Sequence, residues 1–87
     1  MGKPVHDLEV LIEGLVQQRD ELLLQMRLAG AEVRDEWIEV ERKLERLRTQ
    51  AQAMRTEAKG VSQDIYAAVT LLADEIKSGY DRIRKRL

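Results

Sequence analysis

The chain has no cysteine and no phenylalanine, one proline, one histidine, one tryptophan and two tyrosines among its 87 residues. Without cysteine there are no disulfides and no thiolate chemistry, and His6 alone cannot supply the nitrogen and sulfur ligands of a usual zinc site. Charge of one sign is also missing: 15 Lys and Arg stand against 16 Asp and Glu, for a net charge of −1. Such a balance provides no long-range field to gather nucleic acid or acidic lipid, which disfavours both as dedicated partners. No window approaches the roughly 18 apolar residues of a membrane span, and the N-terminus lacks the apolar run of a signal peptide, so the expected location is cytoplasmic. Met1-Gly2 does not complete a myristoylation motif, because His6 stands where Ser or Thr is needed. The length fits one domain, 1–87, and a chain this small buries proportionately little of its own surface.

What remains is helix. From Val33 to Ala58 the apolar positions are Val33, Trp37, Val40, Leu44, Leu47, Ala51, Met54 and Ala58. They step by three or four residues, as one stripe of a 3.6-residue helix requires. Between them Glu39 precedes Lys43 by four residues and Glu45 precedes Arg48 by three, pairings that suit an exposed helix surface. A stripe of this kind needs a partner helix.

The preceding stretch carries Leu8, Ile12, Leu15, Leu22, Met26, Ala29 and Val33 on a seam that Leu11, Val16 and Leu23 widen. Its start is favoured anywhere from Pro4 to Asp7. Arg19 interrupts the seam, either snorkelling to its edge or setting its register. Gly30 can end a helix, yet Leu28, Ala29, Ala31 and Glu32 offer no Ser, Thr, Asp or Asn to cap a new one. The unbroken seam through Met26, Ala29 and Val33 therefore predicts a helix that passes Gly30 at a cost of about 1 kcal/mol. Between Val33 and Trp37 the seam changes phase, which implies a change of neighbours. Lys59-Gly60-Val61-Ser62 reads as a boundary, with a cation, a glycine and a cap in the right order. A last helix follows with Ile65, Val69, Leu72, Ile76, Ile83 and Leu87 on one side and Tyr66 and Tyr80 near its edges.

The expected fold is all-α: a long helical hairpin with a helix over about 5–59, a turn at 60–61 and a helix over about 62–86. Its first helix would span on the order of 75–80 Å, twice the length of the second. Half of it would be bare, and burying each large apolar side chain there is worth roughly 1.5–3 kcal/mol. The expected remedy is a homodimer that closes a four-helix-bundle-like assembly, with Leu8, Ile12, Leu15, Arg19, Leu22 and Met26 between the chains. Trp37, Leu44, Leu47, Met54, Ile65, Leu72, Ile76 and Ile83 would form the hairpin core. The alternative is a three-helix bundle that turns at Gly30.

Ala29 to Trp37, Ser62 to Tyr66 and Asp74 to Tyr80, read as AGAEVRDEW, SQDIY and DEIKSGY, resemble segments of small, charged bacterial coiled-coil proteins of unknown function. That resemblance implies a helical hairpin and no activity. Secreted hairpin proteins of the WXG type carry Trp-x-Gly at the turn, where this chain has Gly60-Val61-Ser62. All-helical chorismate mutases need cations early in their long helix, and none lies between Lys3 and Arg19.

No catalytic, cofactor-binding or metal-ligating set emerges. Glu13, Asp20 and Glu21 have no His, Cys or Lys beside them to make a nucleophile–base pair, and Gly14, Gly30, Gly60 and Gly79 are too scattered for a phosphate loop. Glu32, Asp35, Glu36 and Glu39 compete with nearby arginines for any cation. The functional expectation is a non-enzymatic interaction or scaffold protein that self-associates through its N-terminal half and can pair with another helical protein. Two rivals are a regulator that binds nucleic acid or an anionic membrane through Arg82, Arg84, Lys85 and Arg86, and a small enzyme with a site at a dimer interface.

Overall fold

The computed structural model describes residues 3–56 and 63–87. They form three α-helices, α1 (Lys3–Gln25), α2 (Ala31–Thr56) and α3 (Gln63–Lys85), with no strand among the described residues. The expected turn at 60–61 lies outside them.

The helix does not run through Gly30. After α1 a single turn of 3₁₀ helix covers Met26–Leu28, Ala29 is extended at φ −77° and ψ 145°, and α2 starts at Ala31. Gly30 is the N-cap itself: its carbonyl accepts the first bond of α2 from the Arg34 amide at 3.0 Å. Glycine is an acceptable N-cap even without a side-chain oxygen, so the absence of Ser, Thr, Asp or Asn around it did not forbid a new helix. The guanidinium of Arg34 donates back to the Arg27 carbonyl at 3.4 Å, answering one acceptor left open in the 3₁₀ turn.

Energetics explain why the break is favourable. Interrupting a helix forgoes up to four backbone bonds, each worth about 1 kcal/mol net. Folding α1 back buries Leu8, Leu15 and Leu22 to 1 % exposure and Met26 to 7 %, which at roughly 1.5–3 kcal/mol apiece outweighs that loss. The apolar half that seemed to demand a second chain is covered by α2 and α3 of its own.

α2 and α3 pack antiparallel. Lys43–Glu75, Glu36–Arg82 and Glu32–Arg86 ion pairs mark one constant register along them. The acid-rich start of α2 thereby meets the base-rich end of α3, and each set also complements its own helix dipole. Gly79 lets the two backbones close in, for a Cβ there would stand 2.5 Å from Cγ2 of Val40. α1 is antiparallel to α2, as the Arg19–Glu41 and Glu9–Arg55 pairs require, and parallel to α3. The bundle measures 46 × 18 × 17 Å.

Within it Trp37, Leu44, Leu47, Met54, Ile76 and Ile83 are buried and Leu72 is partly so. Ile65 is 53 % exposed. The seam of α3 runs instead through Tyr66, Val69, Ala73, Ile76, Tyr80 and Ile83, one step around the helix from the expected one. Tyr80 has moved from the edge to the centre, with no exposed surface at all.

Candidate functional site

The α2/α3 and α1/α2 faces of the bundle differ in how they are closed. Between α2 and α3, Glu36 takes Arg82 at 2.8 Å and Arg86 at 2.9 Å, Arg86 reaches Glu32 at 3.1 Å, and Lys43 meets Glu75 at 3.6 Å. The Arg82 hydrogen bond, helped by the positive charge of both arginines, holds the Glu36 carboxyl below the usual carboxylate range. This explains most of the basic C-terminus, because Arg84 in turn pairs with Asp81 at 3.2 Å. The arginines that suggested an anionic partner answer carboxylates of the same chain.

The face between α1 and α2 is open. A groove of about 480 Å³ runs there, lined by Glu9, Ile12, Glu13, Val16, Arg48, Ala51, Gln52 and Arg55. Ile12 and Val16 are half-buried against the core, so the floor is apolar while the rims are charged. The rims have opposite signs: α1 contributes Glu9 and Glu13, and α2 contributes Arg48 and Arg55. Glu9 and Arg55 bridge the groove at 2.8 Å. Glu13 and Arg48 are exposed and make no ion pair among the described residues.

Further along the same face the Arg19 guanidinium donates to Glu41 at 2.6 Å and to Asp20 at 3.3 Å. The hydrogen bond to Glu41 raises the Arg19 pKa against the opposing effect of burial. Arg19 thus spans α1 and α2 at the seam's edge, its stem along the core and its head in a carboxylate grip. Beneath lies Tyr80, its ring 5.9 Å from that of Trp37 and its hydroxyl buried without a hydrogen-bond partner. Burial, reinforced by the Glu41 charge, pushes the phenol up to about 12. Beyond Arg19 the register of the Glu9–Arg55 and Arg19–Glu41 pairs brings Leu23 of α1 to about the level of Ile38 of α2, and both are nearly half exposed, 45 % and 48 %.

Of the six residues expected between two chains, Leu8, Leu15, Leu22 and Met26 are core, Ile12 lines the groove and Arg19 holds Glu41. Residue patterns did not single out Val16, Glu41 and Arg48 as neighbours, since only the fold-back at Gly30 brings α1 beside the middle of α2. Tyr80 carried a usable signal: it stands four residues after Ile76 and three before Ile83, a seam position obscured by its hydroxyl.

Glu13 and Glu21 are exposed, and Asp20 is tied to Arg19. No group of three His, Cys, Asp or Glu that could hold a metal ion occurs among the described residues. Among them, too, no helix is long and apolar enough to cross a membrane.

Fold and site together define, over the described residues, an all-α three-helix bundle with an open amphipathic face between α1 and α2. Comparison with family models, curated proteins and solved structures finds no match to this chain.

Proposed function

We propose that the chain is a non-enzymatic assembly module that works by packing helices and that it self-associates through its N-terminal helix. The observation that carries this reading is the α1/α2 groove, an apolar floor of Ile12, Val16 and Ala51 between charged rims, continued by Leu23 and Ile38. Apolar side chains lined up along one helix pair and rimmed by charge are what a helical partner covers. The self-association surface is accordingly rotated around α1 from the Leu8, Leu15 and Leu22 row, which the bundle uses for itself, to Ile12, Val16 and Leu23.

The two rival readings have less support. Binding of nucleic acid or an anionic membrane through the C-terminus would have to compete with the ion pairs of Arg82, Arg84 and Arg86. An enzymatic site built on Arg19 would have to displace Glu41. Sedimentation equilibrium from low to high micromolar concentration tests the proposal: a reversible monomer–dimer equilibrium is expected, and a chain that stays monomeric throughout overturns it.

A further inference from the structure

We infer that the second copy sits on the α1/α2 face about a two-fold axis parallel to the bundle, so that α1 of each chain lies against α2 of the other. The inference rests on the self-association proposed above and specifies its geometry.

Charge selects this arrangement. Two copies can meet face to face about an axis lying along the helices or about one lying across them. The transverse axis sets α1 on α1 and, passing near the middle of α1 (Lys3–Gln25), brings Glu13 of one copy beside Glu13 of the other, with Arg48 likewise beside Arg48. The longitudinal axis sets α1 on α2 and keeps every residue at its own height. Glu13, which lines the groove with Arg48 but makes no ion pair among the described residues, then faces Arg48 of the second copy, and the same contact recurs by symmetry. Like-charge juxtaposition penalises the first arrangement and opposite charge favours the second.

Apolar surface and area agree. Ile12, Val16, Leu23 and Ile38 fall along the centre of the joined faces, where helices from both chains close a four-helix layer with the α3 helices outside. The 46 × 18 Å extents of the bundle set an upper limit of roughly 800 Å² per copy for the footprint, which reaches the size of a standard stable interface. Arg19 and Glu41, already paired, enter this interface as a neutral unit and add no unpaired charge.

Four variants of the full chain, measured by sedimentation equilibrium with helix content checked by circular dichroism, test the geometry. Leu23→Glu with Ile38→Glu changes two side chains that are exposed in the single chain, so the bundle keeps its helix content while the dimer weakens by about 100-fold or more, as buried unpaired carboxylates require. Glu13→Arg and Arg48→Glu each weaken it roughly tenfold, and their combination returns it to within about threefold of the parent. A dimer of unchanged strength in the Leu23/Ile38 variant, or a charge-swapped double variant no tighter than the singles, overturns the geometry and leaves self-association standing. A parent chain that never dimerises removes the self-association itself.

Discussion

Gly79 and Gly14 both sit inside helices, yet they are opposite cases. A methyl at Gly79 would press on Val40 Cγ2 at 2.5 Å, whereas a methyl at Gly14 meets nothing within 4 Å. Alanine is the better helix former by about 1 kcal/mol, so Gly14→Ala should raise the unfolding free energy measured by urea denaturation by up to that amount. Gly79→Ala gains the same propensity but overpacks a buried contact, and a net loss of roughly 1–2 kcal/mol is expected. Combining it with Val40→Ala should cost less than the sum of the single changes, because the second change removes the obstacle. Tyr80 presents a different imbalance. Its hydroxyl is buried and has no hydrogen-bond partner among the described residues, so Tyr80→Phe should stabilise the fold by on the order of 1 kcal/mol. Because the folded phenol ionises near 12, its contribution is complete below the unfolded value of about 10 and is lost as pH rises through the folded one. Alkaline unfolding followed by helix circular dichroism should shift upward in Tyr80→Phe; an unchanged midpoint would show that the phenol is not buried.

At the scale of the element, Gly30 separates two folds by the sign of a single substitution. As an N-cap it should be improved by a few tenths of a kcal/mol in Gly30→Asp and impaired by up to about 1 kcal/mol in Gly30→Ala. Were the helix continuous there, alanine would stabilise and aspartate would gain nothing as a cap. Thermal denaturation of the two variants decides between them. The α2/α3 seam gives a pH signature of its own. Glu36 has its carboxyl held below the ordinary range by Arg82. Its contribution is therefore present above the unfolded glutamate value and is lost as the pH falls through the depressed folded one. Acid denaturation should be less steep in Glu36→Gln. High salt should weaken the seam only in part, since Glu36 has 19 % of its side chain exposed while its partners are more open.

For the whole molecule, length is the informative dimension. The bundle is 46 Å long with a Cα radius of gyration of 14.2 Å, whereas an uninterrupted first helix would reach on the order of 75–80 Å. Small-angle scattering should return a maximum dimension near the shorter value for the monomer. Pairing about a longitudinal axis widens the cross-section and leaves that length unchanged on dimerisation. A particle that lengthens as it dimerises would instead indicate exchange of α1 between chains through an opened Gly30 turn.

The all-helical class was legible from the sequence because three- and four-residue spacing of apolar side chains is a local property, and so was the burial of Trp37, Leu44, Leu47, Met54, Ile76 and Ile83, which lie at the centre of their stripes. A stripe specifies that something covers it and leaves open what does. Leu8, Leu15 and Leu22 demand the same burial whether the cover is their own α2 and α3 or another chain, and the seam through Met26, Ala29 and Val33 reads as continuous in either case. Only the tertiary structure decided between them, through a glycine that caps with its carbonyl alone and a fold-back that satisfies the apolar row inside one molecule. The α1/α2 groove, the Arg19–Glu41 bridge and the contact of Gly79 with Val40 follow from that decision. Their residues lie on different helices, and periodicity within one helix carries no information about which residue stands across from it.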